Sequence, residues 1–240
     1  MSHRLIIRDT AQQAADACAE RVLELLQSLT LSGRATFAVS GGSTPKLMFQ
    51  SLAELSRDTL DWSRVHLFWV DERIVPPDDP DSNYRLAKDF LIDPAGIPAA
   101  NIHRVHGELP PEEAAARYAR DLAAFFGDHV PVIDVLHCGM GPDAHTASLF
   151  PGSALIRDND GLAAAVFAPK LPNWRVTLLP KVLLSARHTL MLATGADKAA
   201  TLKAVFDESS YDPMARPVQL LAKEGRDVAW YLDRAAAPYS

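Results

Sequence analysis

Short apolar segments alternate with amphipathic segments along the 240 residues of this chain, and this alternation restricts the possible folds more than any other feature. The apolar runs lack polar alternation, which is typical of strands buried on both faces of a sheet. Strands that alternate with helices predict an α/β protein with a mostly parallel sheet covered on both faces. The predicted strands are Leu5–Ile7, Ala35–Val39, Val65–Val70, Ile133–Cys138, Ala164–Ala168, Val176–Leu179, Thr189–Ala193 and Val228–Leu232.

Helix-start signals lie between these strands. Residues Thr10 to Gln13 form a capping-box pattern. Pro45 fits the first position of the next helix, which makes Thr44 the predicted N-cap. Further helices are predicted at Asn83–Leu91, Glu112–Phe126 and about Asp197–Phe206.

Composition narrows the functional class. The formal net charge of −6 argues against nucleic acid as the main partner, because binding to a phosphate backbone needs a basic face. Two cysteines, Cys18 and Cys138, do not make a disulfide scaffold and are expected in the core. No signal peptide or membrane-length apolar run is recognisable, so we expect a cytoplasmic protein, with residues 1–240 as one domain.

The run from Gly139 to Phe150 follows a predicted strand and places a carboxylate and an imidazole two residues apart. On a strand-to-helix turn, Asp143 and His145 would both face one cleft, an arrangement suited to proton transfer at neutral pH. The alternative is structural, with Asp143 capping a turn and His145 an ordinary partnered histidine.

Other chemistries fit this run poorly. Gly139, Gly141 and Ala144 match the dinucleotide pattern G-x-G-x-x-A, but Pro142 and Asp143 would lie where a pyrophosphate approaches. Ser148 lacks the G-x-S-x-G elbow of serine hydrolases, and metal-ligand spacing is absent.

Three polar motifs follow predicted strands: Ser40–Thr44, Asp71–Arg73 and Gly139–His145. In an open parallel sheet, ligands bind beyond the carboxyl ends of the strands, so these motifs are expected to share one site. The glycine-rich turn at Ser40–Thr44 is either an anion site at a helix N-terminus or a plain capped turn.

Two basic residues accompany these motifs. Arg73 suits bidentate binding of a phosphate or carboxylate, although neighbouring acids could instead tie it up in a structural ion pair. Lys198 lies in the first turn of a predicted helix, where it opposes the helix dipole unless an anion binds there. The alternative for Lys198 is a solvated surface lysine.

Taken together, these blocks resemble one known family. Residues 139–152, GMGPDAHTASLFPG, are similar to the signature of 6-phosphogluconolactonases, within the glucosamine-6-phosphate isomerase/6-phosphogluconolactonase superfamily. The resemblance runs from about Ile6 to Trp230. The other blocks that carry it are SGGSTP at 40–45, VDER at 70–73, DSN at 81–83, RVTL at 175–178 and GADKA at 195–199.

The resemblance implies hydrolysis of 6-phospho-D-glucono-1,5-lactone to 6-phospho-D-gluconate in the oxidative pentose phosphate pathway. It implies a three-layer α/β/α sandwich with a Rossmann-like sheet, no metal and no organic cofactor. The expected partner is a small phosphorylated sugar lactone, with no nucleic acid or membrane, and a monomer or weak homo-oligomer. By position, the resemblance assigns His145 as the base with Asp143 beside it, Arg73 and Lys198 as phosphate ligands, Gly41, Gly42, Ser43 and Thr44 as site lining, and Arg175 as a further substrate-binding residue.

One departure and two alternatives accompany this assignment. Many family members have Gly where this chain has Ala144, and Ala is costly there if the position needs a positive φ. Glucosamine-6-phosphate deaminases share similar blocks, but their motif continues from the histidine toward Asn-Glu-Pro, whereas this chain continues with Thr146–Phe150. A phosphosugar-sensing transcription regulator would need a DNA-binding module, and no basic recognition helix is recognisable.

Overall fold

The computed structural model describes residues 4–127, 129–168, 173–207 and 209–238. The strands are β1 (Arg4–Arg8), β2 (Ala35–Val39), β3 (Val65–Trp69), β4 (Asp71–Arg73), β5 (Ile102–His103), β6 (Val135–Cys138), β7 (Ala163–Ala168), β8 (Asn173–Leu178), β9 (His188–Ala193) and β10 (Val228–Asp233). The α-helices are α1 (Ala11–Thr30), α2 (Ser43–Ser56), α3 (Asn83–Ala87), α4 (Asp93–Ala95), α5 (Pro111–Phe126), α6 (Pro180–Ser185), α7 (Ala199–Phe206) and α8 (Val218–Glu224).

Seven strands form one parallel sheet in the order β1-β10-β9-β6-β2-β3-β5. From β2 the chain adds β3 on one side, and from β6 it adds β9 and β10 on the other. The strand order therefore reverses between β2 and β6, and a cleft opens at their carboxyl ends. This sheet, with helices packed on it, confirms the predicted mostly parallel α/β architecture. All five residues of β2 are buried, as expected for a central parallel strand.

A second, smaller sheet of three antiparallel strands has the order β4-β8-β7. It begins directly after β3, because the chain leaves the large sheet at Val70 and resumes as β4. The sequence predicted strands near β7 and β8, but neither β4 nor their pairing into a separate sheet. The register of this sheet places Arg73 of β4 opposite Arg175 of β8.

The first helix forms as its capping signal predicts. The Gln13 backbone N–H donates to Thr10 Oγ1 at 3.2 Å, and the Thr10 N–H donates to Gln13 Oε1 at 3.2 Å. The thiols of Cys18 and Cys138 are buried and free, as expected. Within the described ranges, none of the helices has the length and apolar character needed to cross a bilayer.

Two local predictions were wrong, and two predicted helices are confirmed but are partly of another helical type. The N-cap of α2 is Gly42 rather than Thr44, because the chain turns at Gly42 with φ of +124° and is already helical at Ser43. The predicted helix over Asn83–Leu91 is α3 followed by a π-helical turn at Lys88–Ile92.

The second wrong prediction concerns the end of β6, and the second confirmed helix follows β9. No helix follows β6 directly, and residues 139–153 form a series of turns before a 3₁₀ turn at Ala154–Arg157. The helix expected from Asp197 begins as a 3₁₀ turn at Ala196–Lys198 and becomes α-helical at Ala199.

Candidate active site

A cleft of about 290 Å³ lies at the carboxyl ends of β2, β3, β6 and β9. These four strands are adjacent in the large sheet or lead directly into β4, so the polar motifs that follow them converge there. The lining includes eight of the residues singled out from the sequence: Gly41, Gly42, Ser43, Thr44, Arg73, His145, Arg175 and Lys198.

Asp143 lies behind the imidazole of His145 instead of lining the cleft beside it. Its Oδ1 is 2.5 Å from His145 Nδ1. An ionised carboxylate only accepts hydrogen bonds, so Nδ1 carries the proton and Nε2 is left as an acceptor. The side chains of His145 and Asp143 are 27% and 21% exposed, so water can reach the pair.

Backbone hydrogen bonds hold the imidazole in place. The Gly141 N–H donates to the His145 carbonyl at 2.9 Å, and the Ala144 N–H donates to the Gly141 carbonyl at 3.0 Å. The imidazole lies directly against Gly141, where an added Cβ would be 2.1 Å from His145 Cε1. Phe150 packs on the other side, with ring centroids 5.0 Å apart.

The turn that carries His145 contains two alanines in the left-handed region. Ala144 has φ of +65° and Ala147 has φ of +50°. Ala144 is therefore at a position that favours glycine, as the comparison with family members suggested. Its carbonyl accepts a hydrogen bond from the Val218 N–H at 3.0 Å, so contacts on both sides of the residue enforce this conformation.

The glycine-rich turn after β2 brings bare backbone to the cleft. At Gly41 an added Cβ would be 1.9 Å from Asn83 Oδ1, so only glycine fits. Gly42 precedes α2, and the first N–H groups of that helix have no intrahelical acceptor. The Thr44 hydroxyl is 2.9 Å from the Thr194 hydroxyl, which joins the start of α2 to the end of β9.

Two arginines face each other across the small sheet. Arg73 and Arg175 are directly opposite in the β4–β8 register, and both line the cleft. Like charges in such a pair are destabilising without a counter-ion. The Nε atoms of both side chains are buried without a hydrogen-bond partner among the described residues. Burial, and then the charge of Arg73, lower the pKa of Arg175. The two guanidinium groups therefore lack a full set of hydrogen-bond partners at the edge of the cleft.

The buried carboxylate of Glu72 anchors the loop beside Arg73. It accepts backbone N–H bonds from Arg73, Asn83 and Tyr84, each at 2.7 Å. Burial raises the pKa of Glu72 to about 7, against the opposing effect of these three donors. The same loop supplies the Asp81 carbonyl, which accepts a hydrogen bond from Arg73 Nη1 at 2.7 Å.

Lys198 is at the far end of the cleft, as the N-cap of α7. Its side chain is 17% exposed, and its Nζ is 2.6 Å from a carboxylate oxygen of Asp197. Because Asp197 is 61% exposed, this ion pair is solvated and leaves the ammonium available to a ligand.

The lining residues that were not assigned individually as site residues include the polar side chains of Asp71, Asn83 and Thr194. Asp71 and Asn83 are each within a sequence block that carried the family resemblance, but the blocks alone do not show which of their residues enter the cleft. Within the described ranges, no group of three or more His, Cys, Asp or Glu side chains is arranged to hold a metal ion. The cleft thus combines one imidazole with three cationic side chains and two carboxylates.

Comparisons with known proteins identify the family of this chain. The family model described as glucosamine-6-phosphate isomerases/6-phosphogluconolactonase matches residues 9–230. The chain is 37% identical to a 6-phosphogluconolactonase from Homo sapiens over 234 residues, which cover 95% of this chain and 90% of the human protein. It is also similar to the solved structure of a 6-phosphogluconolactonase from Trypanosoma brucei, with 28% identity, a TM-score of 0.85 and coverage of 98% and 97%.

A third comparison shows how widely the fold is shared. A monomeric glucosamine-6-phosphate deaminase superposes with a TM-score of 0.83 over 97% of this chain and 98% of its own, at 19% identity. That likeness concerns the fold alone. Because the family model spans nearly the whole chain, this chain belongs to the glucosamine-6-phosphate isomerase/6-phosphogluconolactonase family.

Proposed function

We propose that this chain hydrolyses 6-phospho-D-glucono-1,5-lactone to 6-phospho-D-gluconate in the oxidative pentose phosphate pathway. The observation that carries the proposal is one cleft that His145, hydrogen-bonded to Asp143 behind it, shares with two arginines and a lysine. A base for water and a clamp for a phosphate are what a phosphorylated lactone requires. The 6-phosphogluconolactonase names of the similar proteins support the same substrate.

In this mechanism neutral His145 removes a proton from water through Nε2, and the resulting hydroxide attacks the lactone carbonyl carbon. Asp143 stabilises the imidazolium that forms. When the tetrahedral intermediate collapses, the bond from the carbonyl carbon to the ring oxygen breaks, and the imidazolium returns the proton to that oxygen. Ring opening thus produces a hydroxyl group and a carboxylic acid on the same molecule, and the carboxylic acid ionises. A positioned base of this kind contributes about 10²- to 10⁴-fold to the rate.

The cationic groups have two tasks. Arg73, Arg175 and Lys198 bind the phosphate, together with the backbone of Gly41 and Gly42 and the hydroxyls of Ser43 and Thr44. Binding energy from the phosphate then holds the ring in place for attack. The developing oxyanion needs hydrogen-bond donors, and free N–H groups of the turns or a guanidinium can supply them. No covalent intermediate with the enzyme and no organic cofactor takes part.

The test is a lactonase assay on freshly generated 6-phosphogluconolactone, with spontaneous hydrolysis subtracted and unphosphorylated gluconolactone as the comparison substrate. We expect a strong preference for the phosphorylated lactone. His145→Ala is expected to lose about 10²- to 10⁴-fold in kcat, because the base is removed. Near-normal turnover by that variant would refute the role of His145, and equal rates on both lactones would refute the phosphate clamp.

A second assay, of ammonia release from glucosamine 6-phosphate, separates the lactonase from the deaminase that shares the fold. Ammonia release from glucosamine 6-phosphate would support the deaminase. We expect none, because the motif continues from His145 as Thr-Ala-Ser-Leu-Phe.

We further propose that residues 1–240 act as one domain in the cytoplasm, as a monomer or weak homo-oligomer. The two buried free thiols, Cys18 and Cys138, support a reducing compartment. Size-exclusion chromatography with light scattering tests the oligomeric state.

A further inference from the structure

A buried hydrogen bond in the signature motif has no part in the mechanism above. Ser148 Oγ donates to Asp71 Oδ2 at 2.7 Å. Ser148 is fully buried, Asp71 is 4% exposed, and Ser148 is not among the residues that line the cleft. A buried hydroxyl that donates to a carboxylate and does not line the cleft is not a nucleophile. Its role is therefore sought in the elements that its hydrogen bond joins.

The bond connects the signature motif to the small sheet. Asp71 is in β4, directly opposite Thr177 in β8. The Ser148 N–H donates to Thr177 Oγ1 at 3.1 Å, so Ser148 is bonded to both strands. Arg73 and Arg175 are in these same two strands, two residues away from Asp71 and Thr177 respectively. Ser148 therefore contacts the strands that present the guanidinium pair.

The imidazole is held separately from that pair. His145 takes its position from its own turn, through the Gly141 N–H and the Asp143 carboxylate. The next residue is fixed to the same turn, since Thr146 Oγ1 donates to the Gly139 carbonyl at 3.0 Å. The base thus belongs to the end of β6 in the large sheet, and the arginines belong to the small sheet.

Asp71 also affects the charge of the pair. Its Oδ2 is 3.9 Å from Arg175 Nη1, and both side chains are nearly buried. The carboxylate partly offsets the repulsion between the two facing guanidinium groups. It keeps the pair together until a substrate anion binds.

We propose that Asp71 and Ser148 form a positioning pair that fixes the distance between the imidazole and the two guanidinium groups, and thereby sets the preference for a phosphorylated lactone. This inference rests on the proposed function. A phosphate held by the arginines places the lactone carbonyl at the base only when that distance is correct. An unphosphorylated lactone does not use the clamp, so its hydrolysis does not depend on the pair.

The experiment measures kcat and KM of Ser148→Ala on both lactones, with background hydrolysis subtracted. We expect kcat for the phosphorylated lactone to fall about tenfold or more, since misplacement by 1 Å costs up to about a hundredfold. We expect the rate on unphosphorylated gluconolactone to stay near that of the wild type, so the preference collapses. The matched control is Ser56→Ala, which removes another buried serine hydroxyl, one that accepts from Trp62 Nε1 far from these strands. The control should keep the wild-type preference.

Asp71→Asn is the second variant and tests the pair if Ser148→Ala does not fold. An amide oxygen still accepts from Ser148 Oγ but no longer offsets the charge of the two guanidinium groups, so we expect the preference to fall less than in Ser148→Ala without reaching that of the wild type. A collapse of kcat on both lactones, as for His145→Ala, would instead make Asp71 a proton-transfer group and overturn the inference.

Two other outcomes distinguish failure of the positioning pair from failure of the proposed function. Equal losses on the two lactones for Ser148→Ala would show a general structural role and overturn the positioning pair while leaving the lactonase assignment intact. A wild-type enzyme that hydrolyses neither lactone above background would overturn the proposed function, and this inference with it.

Discussion

The turns after β2 and β6 line the same cleft, yet they depart from ordinary backbone conformations in opposite ways. After β2, the left-handed position is occupied by Gly42, with φ of +124°. After β6, the left-handed positions are occupied by Ala144 and Ala147. The first turn presents bare backbone to a ligand, and a side chain there would block it. The second turn presents a side chain, so its backbone conformation only has to support His145.

The second turn also requires a glycine, but the reason is steric: a side chain would collide with a neighbour, and the φ angle is not positive. Gly141 is not among the residues with positive φ, yet its Cα lies against the imidazole. Gly41 in the first turn is similar, because it is pressed against the Asn83 side chain. The comparison therefore separates two reasons for glycine, and substitutions can test each one.

The largest effect is expected for Gly141→Ala. The new Cβ would be 2.1 Å from His145 Cε1 and 2.2 Å from Nδ1, so the imidazole must move by more than 1 Å. We expect kcat to fall about a hundredfold or more, since the base no longer meets the carbonyl. Steady-state kinetics on the phosphorylated lactone measures this, with circular dichroism as a check on folding.

The matched control is Gly33→Ala, because no atom lies within 4 Å of a Cβ added there. It should keep wild-type kcat. A Gly141→Ala enzyme with wild-type kcat would mean that the imidazole is not held against this turn during catalysis.

A smaller effect is expected for Gly41→Ala. Its Cβ would be 1.9 Å from Asn83 Oδ1, so the Asn83 side chain must leave and give up its bond from Nδ2 to the Asp71 carbonyl, 2.9 Å long. The loop that orients Arg73 then shifts, and we expect KM for the phosphorylated lactone to rise roughly tenfold, the equivalent of one hydrogen bond. Asn83→Ala alone removes the same hydrogen bond without a clash, so we expect it to raise KM to a similar extent. A wild-type KM for Asn83→Ala would mean that this bond does not orient the loop.

The large sheet was predicted well because each of its strands can be recognised from its own residues. Continuous apolar runs such as β2 and β6 identify strands buried on both faces, and their alternation with helices fixes the parallel class. The small sheet could not be predicted in this way. β4 is three residues long and polar, and its pairing with β8 joins positions about a hundred residues apart. Which sheet a strand joins is decided by tertiary contacts, not by its own composition.

Some of the site residues could likewise be predicted from local motifs, and others could not. Charged residues at strand ends were found by their motifs, and they converge because parallel strands share one edge. The roles of Asp71 and Asn83 depend on contacts with Ser148 and Gly41, which no local pattern reveals. The turn after β6 was expected to lead into a helix, because alanine is a good helix former and its identity alone does not indicate a positive φ.

The smallest effect is expected for Ala144→Gly, which tests whether the strain in the second turn matters. Relief of the left-handed conformation is worth about 1–2 kcal/mol. Against it stand the loss of a buried methyl group, about 0.8 kcal/mol, and the greater entropy of glycine in the unfolded chain, about 0.5–1 kcal/mol. These terms nearly cancel, so we expect the free energy of unfolding in urea to change by less than about 1 kcal/mol, with kcat unchanged.

Ala144→Val is the contrasting variant, since a β-branched side chain is worse still at φ of +65° and should destabilise the protein clearly. A large gain in stability for Ala144→Gly would mean that the bonds to Gly141 and Val218 hold the turn against greater strain than a single residue accounts for.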